Sequence, residues 1–163
     1  MPVINVKLTG MDIIALWGAI VATLVLIWDI YKWKTSGPHV RFKVSPNKIV
    51  IGDVTREGNK YISAEAINIG ARPTTITNLV FQYYENYIKM LFHKPSISMI
   101  VNNPSTSQRL PYMLKPGDVW LGLALQTSEI ETYAKKGYLV CGLCHSHSDK
   151  EIDRRIIIKN QRD

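Results

Sequence analysis

Apolar and polar positions follow two different rhythms along this chain, and the change falls near residue 35. From Ile13 to Trp28 (IIALWGAIVATLVLIW) 16 residues pass without a charge. As a helix, that run is roughly 24 Å long at 1.5 Å per residue, a little short of a ~30 Å hydrocarbon core. Asp12 and Asp29 bracket it, with Lys32 three residues beyond Asp29. Trp17, Trp28, Tyr31 and Trp33 lie toward its two ends, as interfacial aromatics do. A cleaved signal peptide wants a basic leader and a small-x-small cleavage site. Here only Lys7 precedes the run, and Trp-Asp-Ile-Tyr-Lys-Trp-Lys follows it. The pattern predicts a short segment over 1–12, a retained transmembrane helix over 13–31 and a linker over 32–47.

Beyond the linker the pattern shortens to alternating runs separated by turn residues. Predicted strands are His39 to Ser45, Lys48 to Gly52, Lys60 to Ile69, Thr74 to Tyr84, Tyr87 to Phe92, Ile97 to Val101, Val119 to Gln126, Gly137 to His145 and Arg154 to Lys159. Val119, Leu121, Leu123 and Leu125 alternate as a half-buried strand does. Gly58-Asn59, Gly70-Ala71, Asn102-Asn103-Pro104 and Lys115-Pro116-Gly117-Asp118 are turn signals. A short helix is expected over Ser128 to Lys136, where Ser128 and Glu131 have capping-box spacing and Gly137 is a natural stop. Eight or nine short strands with one short helix make residues 48–163 a mainly β domain. The expected fold is an antiparallel immunoglobulin-like β-sandwich, with a small closed barrel as the alternative. No βαβ rhythm is present, which argues against a nucleotide-binding α/β fold.

Three stretches carry a resemblance. They are Ala66-Ile67-Asn68-Ile69-Gly70-Ala71-Arg72-Pro73-Thr74-Thr75-Ile76-Thr77, Leu110-Pro111-Tyr112-Met113-Leu114-Lys115-Pro116-Gly117-Asp118-Val119-Trp120, and Gly137-Tyr138-Leu139 leading to His145-Ser146-His147-Ser148. Together they span most of residues 60 to 150. The chain resembles the small uncharacterised bacterial membrane proteins that carry one amino-terminal span and a β-sandwich. The resemblance implies that fold and a bacterial or phage origin, and it brings no catalytic residues.

Apolar residues are 46% of the chain, which excludes disorder by composition, and two cysteines exclude a disulfide scaffold. The formal net charge is +7. Residues 32 to 48 hold five basic side chains (Lys32, Lys34, Arg41, Lys43, Lys48) and no acid, whereas residues 49 to 163 hold 14 basic and 11 acidic ones. The excess is therefore mainly a juxtamembrane collar suited to a bilayer with anionic headgroups, at about 1 kcal/mol per basic residue near the surface. The positive-inside rule places the domain after the span in the cytosol and the amino terminus outside, in a single pass of the inner membrane. A periplasm-facing envelope component is the reversed alternative. Duplex nucleic acid is not an expected partner.

One face of the span carries Asp12, Ala15, Ala19, Ala22, Leu26 and Asp29, spaced by three and four in turn. Small residues let helices approach closely in lipid, and Gly18 with Ala22 adds a small-xxx-small pair. A carboxylate at each end is less costly facing another subunit or a water-filled axis than facing lipid. The expectation is a homo-oligomer; a chance stripe on a monomeric anchor is the alternative.

The densest polar stretch is Cys141-Gly-Leu-Cys144-His145-Ser-His147. Cys141, His145 and His147 are its candidate metal ligands. In a strand, however, they share one face and Cys144 takes the other, and no second ligand pair stands at a usual spacing. No metal and no cofactor are expected. Ser146, His145, His147 and Asp149 offer a nucleophile, bases and an acid, but adjacent residues of one strand do not converge, and there is no nucleophile elbow. No phosphate-binding glycine loop is present. Arg72, Arg109, Arg154 and Arg155 are the candidate ligand-binding residues for a small anion. Tyr83, Tyr84, Tyr87, Phe92, Tyr112 and Tyr133 are candidates for stacking. The expected function is a membrane-anchored, non-enzymatic binding or scaffold module that engages a protein partner. The alternative is an oligomeric membrane effector gated by a nucleotide second messenger, of the kind used in prokaryotic defence.

Overall fold

Thr9 and Asp12 close the start of a 26-residue helix, α1 (Gly10–Thr35), with a reciprocal cap: Asp12 Oδ2 accepts from the Thr9 backbone N–H at 2.8 Å and from its hydroxyl at 2.7 Å. The structure is a computed structural model that describes residues 9–158. The Lys7 flank and the end of the last predicted strand at Lys159 lie outside those residues. The chain divides at Gly37 into two units, α1 and a β unit that begins at Pro38.

In α1, apolar side chains cover every side, none of them buried in the structure. Gly10–Trp33 has a mean hydropathy of 2.3 over its most apolar window. Those 24 residues are about 36 Å long, enough to cross a bilayer core. The uncharged run understates the length because helix continues past both aspartates. Inside it, the Thr23 hydroxyl donates to the Ala19 carbonyl at 2.8 Å and so satisfies itself within the helix.

The β unit consists of two antiparallel sheets. In the first, β1 (Val40–Ile49), β2 (Lys60–Asn68) and β6 (Val119–Leu125) lie in the order β1-β2-β6. In the second, β4 (Ile97–Ile100), β3 (Thr74–Tyr84), β7 (Tyr138–His145) and β8 (Ser148–Ile156) lie in the order β4-β3-β7-β8, and β5 (Tyr112–Leu114) pairs with the start of β3. Two short helices, α2 (Tyr87–Leu91) and α3 (Ser128–Lys136), complete it. Period-two burial brings the inner faces together. Phe42, Ile62, Ala64, Ala66, Trp120 and Ala124 come from the first sheet, and Ile76, Leu79, Phe81, Leu139, Cys141, Leu143 and Ile156 from the second. The fold is thus mainly β, two antiparallel sheets packed across one apolar core. Trp120 lies at its centre, fully buried, with its indole N–H donating to the Gln108 carbonyl at 2.9 Å. Gly122 leaves room for that ring: a Cβ there would stand 2.5 Å from Trp120 Cη2.

The structure corrects several expectations. The first two predicted strands are one strand, β1, so residues 40–47 belong to the β unit and the connection after α1 shrinks to 36–39. A bulge between Ser45 and Lys48 hides this continuity in the sequence. Asn47 takes φ 58° there and is held by Gln126, whose Oε1 accepts from the Asn47 N–H at 2.9 Å. Residues 87–91 are helical, not extended. Lys89 reaches back to Glu85 at 2.6 Å, and a turn is needed to reverse the chain between β3 and β4. The last strand begins at Ser148, well before the predicted start at Arg154, and β5 is an added element. Thr127, rather than Ser128, caps α3. Finally, β6 alternates as expected but with its faces exchanged: Trp120, Gly122 and Ala124 point inward, and Val119, Leu121 and Leu125 are each nearly half exposed.

Candidate functional site

The same alternation that sends Leu79, Phe81, Cys141 and Ile156 inward sends a polar set to the outer face of the second sheet. Gln82 and Tyr84 come from β3, Cys144 from β7, and Glu151, Asp153 and Arg155 from β8. Gly142 lies among them. A Cβ at this position would collide with Glu151 Oε2 and stand 3.1 Å from Asp153 Oδ1, so the glycine is what lets two carboxylates lie down on the sheet. After α2 the chain returns over this face and brings His93, at φ 50°, to 3.5 Å from Asp153 Oδ2.

A hydrogen-bonded row results. The Tyr84 hydroxyl donates to Gln82 Oε1 at 2.5 Å, and Gln82 Nε2 donates to Glu151 Oε2 at 2.8 Å. Asp153 Oδ1 is buried and accepts no hydrogen bond from the described residues. Gln82, His93, Asp149, Lys150, Glu151 and Asp153 line an open cleft of about 610 Å³. A smaller hollow of about 250 Å³ adjoins it at His93 and Asp153, lined also by Met90, Leu91, Val140 and Arg155.

Burial makes the acids of the cleft hold their protons more tightly than free ones. Burial, then the neighbouring Asp153 charge, pushes the Glu151 carboxyl above its ordinary range. Burial raises Asp153 likewise, against the pull of His93 and Arg154. The Cys144 thiol is pushed up to about 11 by burial and by Glu151, and burial raises Cys141 further still. Neither sulfur is a thiolate at neutral pH, which makes both poor nucleophiles. A group entering here meets unpaired acceptor capacity and gains most if it brings donors or positive charge.

The residues singled out in the sequence are mostly scattered. Cys141 is enclosed in the core, Cys144 is on the outer face, and His145 and His147 lie at the β7–β8 turn. Among the described residues no three His, Cys, Asp or Glu side chains group to hold a metal ion. Ser146 serves the fold instead: its hydroxyl accepts from the Thr75 N–H at 3.1 Å and its own N–H donates to the Thr75 carbonyl at 2.9 Å. Arg154 and Arg155 project from opposite faces of β8. Arg154 Nε donates to the Phe42 carbonyl at 3.0 Å, tying β8 to β1, while Arg155 stacks 4.5 Å from the centre of the Tyr138 ring. Arg72 and Arg109 are exposed on separate loops. The Arg72 carbonyl accepts from buried Asn68, which also binds the Leu114 carbonyl and the Gly70 N–H. Of the six aromatics, Tyr87 and Phe92 are openly exposed, whereas Tyr83 packs on Tyr133 with ring centres 4.8 Å apart. Asp12, Ala15, Ala19, Ala22, Leu26 and Asp29 all lie on α1, with Asp12 engaged in the cap.

Gln82, His93, Glu151 and Asp153 are the site residues that sequence reasoning misses. The available signal is the i, i+2 spacing of Gln82 with Tyr84 and of Glu151 with Asp153, which on a strand means one face. Comparison of the chain with protein-family models, curated proteins and solved structures yields no match.

Proposed function

We propose that this chain is a membrane-anchored, non-enzymatic binding module. In this reading α1 crosses the inner membrane once with the amino terminus outside, and the β unit lies in the cytosol. There it presents the cleft of Gln82, His93, Glu151 and Asp153 to a protein partner that offers a basic side chain. The observation that carries the proposal is the pairing of a predominantly apolar, unburied 24-residue helical segment with a β unit that has its own core and an acceptor-rich cleft. The resemblance to single-span bacterial membrane proteins with a β-sandwich agrees with it, as does the basic stretch after the span.

The seam on α1 supports a second element, a homo-oligomer formed through Ala15, Ala19 and Ala22. A nucleotide-gated effector built on that oligomer is the weaker reading. The four arginines do not share one face, and carboxylates line the larger cleft.

Affinity capture of the full chain from membranes, beside Glu151→Gln/Asp153→Asn, tests the recognition step. A stoichiometric partner kept by the wild type and lost by the double variant is expected; capture of no such partner sinks the reading. A carboxyl-terminal reporter that is active on one side of the membrane tests topology, and periplasmic activity reverses it.

A further inference from the structure

The outer face of the first sheet is open along β6 and β1, and its side chains are sorted into stripes. On β6, Val119, Leu121 and Leu125 are 46%, 47% and 47% exposed, far more than aliphatic strand residues of a closed unit need be. On β1, two strands away, the outward positions are Arg41, Lys43, Ser45 and Lys48, of which the three basic residues are exposed. Between them on β2 stand Ile67, Glu65, Ser63 and Tyr61, with Glu65 opposite both Lys43 and Leu121. The face is thus apolar along one side and cationic along the other, with a single acid between.

The neighbouring chain limits what can cover it. The free edge of β6 is already occupied: Leu123 N–H donates to the Pro104 carbonyl at 2.6 Å, Leu121 N–H donates to Gln108 Oε1 at 3.0 Å, and Gln108 Nε2 donates to the Val119 carbonyl at 2.8 Å. An added strand therefore has no ladder to join beside β6, and an occupant of the apolar stripe must lie on the face. A second copy set face to face would bring two cationic stripes into one interface. A surface that is apolar just beneath a layer of negative charge accepts both stripes at once.

We propose that this face, through Leu121 and its β6 neighbours with Arg41, Lys43 and Lys48, docks on a bilayer containing anionic headgroups. The proposal rests on the reading that α1 spans that bilayer. Only residues 36–39 separate α1 from β1, so covalent geometry keeps Val40 within about 18 Å of the helix end. A tether this short turns weak docking into an intramolecular event, which a few aliphatic side chains and cations suffice to bias.

Spin-label accessibility of the full chain in vesicles tests this. A nitroxide on Leu121→Cys is compared with one on Glu57→Cys in the β1–β2 loop, with the labelled wild type subtracted for Cys141 and Cys144. Phosphatidylcholine vesicles with and without 30% phosphatidylglycerol are used. The docked face predicts at least a threefold fall in collision with a water-soluble nickel chelate at position 121 when phosphatidylglycerol is present, with little change at 57. Arg41→Gln/Lys43→Gln/Lys48→Gln abolishes that fall while the chain still floats with the vesicles. Equal nickel access at 121 in both vesicles overturns the docking and leaves the anchor intact. Protection that is independent of lipid charge and grows with the protein-to-lipid ratio assigns the face to a second copy and also overturns it. Failure of the wild type to float overturns the anchor, and the docking with it.

Discussion

The two outer faces of the β unit are made by one rule and end with opposite chemistry. Both are the outward half of an alternating strand pattern over a shared core. The second sheet turns out a thiol and a row of carboxylate, amide and phenol joined by hydrogen bonds, with room made by Gly142. The first turns out aliphatic side chains beside cations. A concave acceptor-rich surface selects a group of definite shape and sign. An apolar and cationic one suits an extended, fluid partner. One small domain thus carries two faces of different chemistry, and its shared core lets neither be altered from within without cost to the other.

That comparison can be broken outright at the core. Trp120→Ala removes the fully buried side chain between the faces and is expected to destabilise the β unit by about 3–5 kcal/mol, read from urea unfolding. Retention of wild-type stability would show that the sheets do not depend on a common centre. A smaller loss is expected at one face alone. Gly142→Ala pushes Glu151 off the sheet and breaks its bond to Gln82, at a cost of about 1–3 kcal/mol, and Gln82→Ala in the same background should add little if the bond is already gone.

The pH dependence sharpens the polar face. Glu151 and Asp153 have carboxyls raised above their ordinary range in the folded chain, chiefly by burial. The folded state therefore binds more protons than the unfolded one across that window. Their contribution is fully present below the ordinary carboxylate pKa and is lost as pH rises through the raised folded values. Glu151→Gln should consequently raise the melting temperature at neutral pH and leave it nearly unchanged in acid; a fall at neutral pH would contradict the assignment. The least effect is expected on the other face. Leu121→Ser leaves the core untouched and should change stability by no more than about 0.5 kcal/mol.

What could be read from the sequence differs between these regions for physical reasons. The span, β3 and α3 announce themselves through long apolar runs, clean alternation or a helix with a turn on each side. β3 and α3 occupy the residues expected of them. β8 is hidden because its outward positions are Asp, Glu and Arg, which depress strand propensity while they build the cleft. β6 is misread in one respect only. Its leucines outweigh Trp120, Gly122 and Ala124 on any hydropathy scale, yet the indole fills the core and needs small neighbours, so the leucines are left outside. The cleft escapes notice because Gln82, His93 and Glu151 are distant in sequence and meet only through strand register.

The placement of β1 has a mechanical consequence. It is the strand that follows the connection from α1, it lies at the edge of its sheet, and β2 is its ladder partner among the described residues. Any tension between a held partner and α1 therefore enters the fold through β1. Tension along the strand loads its rungs together in shear, as a lap joint does. Tension at right angles peels them in turn, beginning where Ile69 N–H meets the His39 carbonyl at 2.7 Å. The strength of the attachment thus depends on the direction of pull, and the Arg154 bond to the Phe42 carbonyl is the rivet that a peeling load reaches soon afterwards.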